Sequence, residues 1–293
     1  MSEAAVDSTS GQSPAALRAR SDAPFLISLG VIGGLYLLLI VAMLVADASF
    51  TSPDHLLEAL QSEPIQYAIW LSLISCSITT ILSVWVAVPT GYLLSRWQRD
   101  GRWSGLRHII DAALDIPIVL PPLVIGLSLL ILFQTFPGRW IERQTQHWLG
   151  TPITYAIPSV ILAQFAVAAA FAVRTMRVTF DQLNPRSEQV ALTLGCSRSQ
   201  AFFMVVLPEA RRGMLTAGTL AWARSLGEFG PILVFSGATR MRTEVLPTTV
   251  FLELSVGRIE AAVAVSLLMV ACALIVLVIV RVFGSADAFG KGV

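Results

Sequence analysis

Arg224 and Glu228 stand four residues apart in an otherwise largely apolar stretch, so a helix would set both on one face, about one turn from each other. Each alone would cost about 2.5–3.5 kcal/mol at the centre of a membrane helix, and pairing lowers that cost. Two roles are open to the pair. It could lock its helix to a neighbour, with Gln134 or Gln164 as a further partner, or it could line a passage and meet an anion in one state. Catalysis has little else to draw on. His55, His108 and His147 lie near or outside the ends of the apolar stretches, and no H-E-x-x-H or G-x-S-x-G occurs. An intramembrane hydrolase would need a His, Lys or carboxylate pair within a span, and Glu228 has only Arg224 beside it. Lys291, the only lysine, is followed by Gly292, so the phosphate-binding G-x-x-x-x-G-K-[ST] is absent and the chain cannot hydrolyse ATP by that route. Cys76, Cys196 and Cys272 form no CxxC pair and read as small packing residues. The expectation is no catalytic residue, no metal site and no cofactor on this chain.

The elements that hold these residues are set by hydropathy. Of the 293 residues 55% are hydrophobic and 13% charged, and the mean hydropathy is +0.72. A soluble domain carries about 25% charged residues, so this chain could not cover a water-facing globule of its size. The formal net charge of +1 gives no reason to expect a nucleic-acid surface. About 20 apolar residues in helix cross a bilayer core. Six stretches qualify: 25–46, about 67–94, about 109–136, 153–173, about 213–236 and about 261–280, the fifth being weakest because Arg224 and Glu228 interrupt it. The fold expected is an all-α integral membrane protein with about six transmembrane helices. Residues 1–24 read as a disordered cytoplasmic tail, 25–283 as a six-helix transmembrane domain with a core at 65–283, and 284–293 as a short cytoplasmic tail.

Basic residues orient the spans. The connection 49–66 has Asp54, Glu58 and Glu63 and no Lys or Arg, whereas 95–108 has Arg96, Arg99, Arg102 and Arg107. With Arg174, Arg177, Arg186, Arg198, Arg211 and Arg212 after the fourth span, and Arg18, Arg20, Arg281 and Lys291 at the ends, fourteen basic residues share one side. Arg139, Arg143, Arg240, Arg242 and Arg258 are the five opposite. Both termini are therefore expected in the cytoplasm.

The connection 174–212 is far longer than two neighbouring membrane helices need, and it reads as two short helices. Asn184 can cap the first, with Pro185 at its first position and Glu188 in the first turn, where the helix dipole favours an anion. Val190, Ala191 and Leu194 share a face at helical spacing, and Gly195 ends the helix. Ser197-x-x-Gln200 is a capping box for the second helix, which is expected to run through 201–207 until Pro208 breaks it. Such an amphipathic element either lies on its own bundle or seats in a groove of a soluble partner. Pro117, Pro121 and Pro122 in the third span and Gly227, Gly230 and Pro231 in the fifth bend their helices. Freed carbonyls are tolerated in lipid only where protein or a water-filled cavity satisfies them, so both segments are expected to face the interior and form the gate.

The run Glu188-Gln-Val-Ala-Leu-Thr-Leu-Gly195, followed by twelve residues and then Pro208, resembles the EAA loop of ATP-binding-cassette (ABC) importer permeases, roughly E-A-A-x-x-x-G, about nine residues, I-x-L-P. Ala191, Gly195, Leu207 and Pro208 keep the register, while Gln189 stands at the family's Glu position with Glu188 one place earlier. Ile116-Pro-Ile-Val-Leu-Pro-Pro-Leu-Val-Ile-Gly126 and, more specifically, Ala223-Arg-Ser-Leu-Gly-Glu-Phe-Gly230 resemble the third and fifth spans of molybdate and sulfate permeases. The resemblance implies a channel subunit of an importer in the bacterial cytoplasmic (inner) membrane, translocating an oxyanion such as molybdate, tungstate or sulfate. It implies a homodimer, an extracytoplasmic solute-binding protein, and a separate ATPase subunit that binds ATP and Mg. Coupling to that ATPase would rest on the loop 177–212, through Glu188, Gln189, Val190, Ala191, Leu194, Gly195, Leu207 and Pro208; the pathway would include Pro121, Pro122, Arg224, Glu228 and Gly230. An ion-gradient-driven secondary transporter is the alternative, which should carry more intramembrane carboxylates and an inverted repeat. A membrane-anchored assembly protein is the third reading.

Overall fold

The computed structural model describes residues 23–97 and 104–289, and every regular element among the described residues is a helix. The tail 1–22 and the last four residues lie outside it, as do Arg18, Arg20, Arg99, Arg102 and Lys291. The chain divides into two units at Ser49 and Phe50. The first unit is essentially α1 (Ala23–Phe50), apolar all round and uncharged from Phe25 to Ala46.

The second unit holds α2 (Pro53–Gln61), α3 (Glu63–Trp97), α4 (Ser104–Val119), α5 (Pro122–Gln134), α6 (Phe136–Leu149), α7 (Ile157–Gln182), α8 (Pro185–Thr193), α9 (Arg198–Ala201), α10 (Leu207–Glu209), α11 (Arg211–Leu226), α12 (Gly230–Phe235), α13 (Leu246–Ser255) and α14 (Ile259–Phe289). Its centre is α3 packed along α7, with α11 against both. Ala87, Ala168, Ala172, Ala217 and Ala221 line that contact around Met176 and Phe180. Small side chains let the backbones close in, which is how helices associate where lipid supplies no hydrophobic drive. At Gly91 a Cβ would fall 2.9 Å from the Met176 Cβ.

Among the described residues, four helices are long and apolar enough to cross a membrane: 25–50, 63–96, 157–182 and 259–280. The expected third span is two helices, 109–119 and 122–134, bent by 111° at the break, and counting the pair as one span makes five. Pro121 therefore begins a new helix as the N-cap of α5 and does not kink a continuous one. The expected fifth span is likewise divided. α11 ends at Leu226, Gly227 is its C-cap, and α12 starts at Gly230.

Candidate functional site

The loop between α7 and α11 is built from its caps. The Asn184 side chain accepts from Arg186 N at 3.0 Å and Pro185 opens α8. Gly195 has φ +93°, Gly195 N donates to Leu192 O and Cys196 N to Ala191 O, each at 3.1 Å, which closes α8 in the manner of a Schellman turn. Ser197 and Gln200 make both bonds of the capping box, at 2.8 and 3.2 Å. The second helix departs from expectation. After α9 the chain widens into a π-helical turn, Phe202–Val206, and then continues through Leu207 and Pro208 to Glu209. Widening the turn just before Pro208 relieves the clash its ring would make with the carbonyl four residues back, so Pro208 sits inside the helical run and does not end it.

One carboxylate fastens this loop to the bundle. Glu188 Oε2 accepts from Arg96 Nε at 2.8 Å and Oε1 accepts from Tyr92 Oη at 2.5 Å, both donors lying one turn apart on α3. The Tyr92 ring also stacks on Phe202, 4.7 Å between centroids, and carries the Arg96 guanidinium 5.5 Å above it. Val190, Ala191 and Leu194 do not share one environment. Ala191 is buried, while Val190 and Leu194 are 56% and 80% exposed, as are Phe203 at 62% and Met204 at 70% on the π-helical turn against which α8 packs. Gln189 and Pro208 are exposed too, and Leu207 is half-buried. Four large apolar side chains facing outward from one short loop form a surface suited to a protein partner. Arg96, Tyr92, Phe203 and Met204 were not legible as site residues: the first two lie about ninety residues from Glu188, and the outward pair sits on a π-helical turn that an α-helical period cannot place.

Arg224 Nη1 lies 2.7 Å from Glu228 Oε1, with side chains 30% and 1% exposed. The contact is one of charge, because Oε1 receives no well-directed hydrogen bond. The Arg224 guanidinium rests 5.5 Å over the Phe171 ring. Gln134 is exposed at the end of α5 and Gln164 does not bind the ion pair. Gln164 Nε2 instead donates to Ser225 O at 3.3 Å, while its Oε1 accepts from Thr79 Oγ1 at 3.2 Å, tying α3, α7 and α11 together at the point where α11 ends. Beyond the break, the two proline segments meet. A Cβ at Gly126 would fall 2.7 Å from Pro231 Cα and one at Gly230 3.0 Å from Leu123 N. Gly230 is thus interior, whereas Pro122 is half-buried and Pro121 exposed. Phe171 also borders a cleft of about 550 Å³ between α7 and α11, whose lining includes Arg174, Glu209 and Arg212.

Glu253 is buried on α13 between Arg240, 2.6 Å away, and Arg258, 3.8 Å away. In the loop before α13, burial pushes the carboxyl of Glu244 up, against the opposing pull of Thr249 and Arg240. Among the described residues no cluster of three His, Cys, Asp or Glu side chains is placed to hold a metal.

The sequence model of the binding-protein-dependent transport system inner membrane component matches residues 87–286. The chain belongs to this family. It is a multi-pass protein of the cytoplasmic membrane and an ABC importer permease. Its relatives include the sulfate transport system permease protein CysT of Escherichia coli, 30% identical over 265 residues that cover 88% of this chain and 90% of that protein. The molybdenum transport system permease protein ModB of Mycobacterium tuberculosis is 35% identical over 213 residues, covering 72% and 76%. The fold is shared with a solved bacterial ABC transporter involved in import of the acidic polysaccharide alginate, at TM-score 0.65 and 19% identity over 92% of this chain and 96% of that one.

Proposed function

We propose that the permease carries a tetrahedral oxyanion such as molybdate, tungstate or sulfate into the cytoplasm. The names of its sulfate and molybdenum relatives support this reading, as does the cleft lined by Arg174 and Arg212, whose Phe171 ring carries the Arg224 guanidinium. The anion is delivered from outside by a solute-binding protein, the channel forms between two copies of this chain, and six spans place both termini in the cytoplasm. ATP and Mg are bound by a separate ATPase subunit, and this chain performs no hydrolysis.

The observation that carries the proposal is the coupling loop, with its inner edge fastened by Glu188 and its outer edge an exposed patch of Val190, Leu194, Phe203 and Met204. A patch of this kind gains from burial in a partner's cleft, and about 25 cal/mol is recovered for each Å² of apolar surface removed from water. ATPase motion would then reach α3 through Glu188 and Arg96. Arg224 would meet the anion as Glu228 releases it, with Pro121, Pro122 and Gly230 at the break that opens. Leu194→Asp combined with Met204→Asp tests the loop. The variant should reach the membrane at normal abundance and lose co-purification with the ATPase; retained co-purification and transport would remove the loop from the coupling route.

A further inference from the structure

We infer that α6 lies flat in the lipid headgroup layer on the membrane face opposite the coupling loop, with Arg139 and Arg143 holding a phospholipid phosphate. This rests on the membrane placement of the chain and not on which anion it carries. Helix α7 fixes the depth. Its 26 residues span about 39 Å, close to the 40–45 Å of a bilayer with its headgroups. Its C-terminal end runs into the coupling loop, so its N-terminal end reaches the other headgroup layer. Helix α6 is pinned at that end: Glu142 Oε1 accepts from Thr154 N at 3.1 Å and Oε2 from Thr154 Oγ1 at 2.6 Å. Its first turn also packs so tightly on the end of α5 that a Cβ at Gly138 would overlap the Phe133 backbone.

What α6 leaves outward is largely aromatic. Phe136, Trp140, Ile141 and Trp148 are 81%, 58%, 43% and 81% exposed, and a 100° step per residue places them within about 140° of the helix circumference, an arc they share with the exposed polar side chains of Gln144 and His147. Gly138 and Glu142 occupy the opposite side, toward the protein. Apolar side chains on one face of a helix of low net hydrophobicity mark an interfacial element, and tryptophan concentrates where hydrocarbon meets headgroup. Charge points the same way. Arg139 and Arg143, one turn apart beside Phe136, border a cavity of about 340 Å³ with Gln134, Glu142 and Tyr155. Neither guanidinium pairs with an acid among the described residues, since the carboxylate between them, Glu142, is engaged by Thr154. Two unpaired guanidiniums in a cavity at headgroup depth, next to an aromatic face, present the donors and the apolar edge that a phospholipid requires.

The full chain without Cys76, Cys196 and Cys272, carrying a nitroxide at Trp140→Cys, Trp148→Cys or Gln146→Cys, tests this in phosphatidylethanolamine–phosphatidylglycerol bilayers. At positions 140 and 148 oxygen should relax the label several-fold more effectively than a water-soluble nickel chelate, and at 146 the order should reverse. Arg139→Gln with Arg143→Gln should lower the phospholipid retained through detergent washing several-fold. Equal nickel access at all three positions would overturn the inference, as would unchanged phospholipid in the double variant. Labels at 140 and 148 that stay open to nickel in the bilayer, and are shielded only when a soluble binding protein is added, would assign the face to that protein and overturn it too.

Discussion

Glu188 Oε2 lies 2.8 Å from Arg96 Nε, so a single charge pair joins the short helix α8 to the end of the long helix α3. Both side chains are mostly buried, and a hydrogen bond to a charged group contributes about 1.5–3 kcal/mol. Glu188→Gln can keep the Tyr92 bond through its amide oxygen but loses the ion pair. The expected outcome is a transporter that still binds its ATPase and hydrolyses ATP while uptake falls at least several-fold. Arg96→Glu combined with Glu188→Arg should recover part of the uptake. Paired assays of hydrolysis and uptake on the same vesicles check this, and equal losses of both would mean that Glu188 serves the docking itself.

Gly195 tests the turn. Its φ of +93° costs an L-residue about 1–2 kcal/mol, and nothing lies within 4 Å of a Cβ placed there, so the penalty is conformational and not steric. Gly195→Val should leave membrane abundance normal, weaken co-purification with the ATPase and abolish transport. Gly195→Asn, which tolerates a left-handed conformation, should retain most of it. A Val variant that transports normally with its ATPase bound would show that the turn does not set the coupling geometry.

The Arg224–Glu228 pair separates structure from transport. Arg224→Gln leaves a buried carboxylate without its cation, a loss of about 3–5 kcal/mol that should appear as lowered thermal stability in detergent. Arg224→Gln with Glu228→Gln removes both charges and should restore stability. If Arg224 meets the anion, uptake by the double variant stays lost while ATP hydrolysis persists. Recovery of uptake alongside stability would make the pair a structural lock.

The loop between α7 and α11 was the most legible part of the chain because its signals are local. Asn184-Pro185, Gly195 and the Ser197–Gln200 box each act within a few residues, and each forms the expected bonds. The side chains that matter around it were less legible. Ala191 is buried and Phe203 and Met204 face outward, because the Glu188 contact with α3 and the packing of α8 on the π-helical turn decide the faces. Hydropathy located the apolar stretches but not their shape. The third contains proline at 117, 121 and 122, and composition alone could not distinguish a kinked helix from two helices at 111°. The partners of Gln164, Thr79 and the Ser225 carbonyl, come from α3 and α11, contacts between distant segments that no short-range pattern encodes.

Orientation is open to labelling. With the three native cysteines replaced, Ser62→Cys should react with an impermeant thiol reagent added to intact cells, and Ser197→Cys only after lysis. The reverse pattern would contradict the arginine distribution and place the coupling loop outside, where no ATP is available.

The central claim is that transport through this chain is driven by a separate ATPase seated on its coupling loop. The most direct test is uptake into proteoliposomes containing the permease with and without that ATPase, offered radiolabelled molybdate and sulfate on the loaded binding protein. The account predicts uptake only when the ATPase is present and ATP is on its side of the membrane, with no hydrolysis by the permease alone. Accumulation by the permease alone, driven by a proton or sodium gradient, would contradict it.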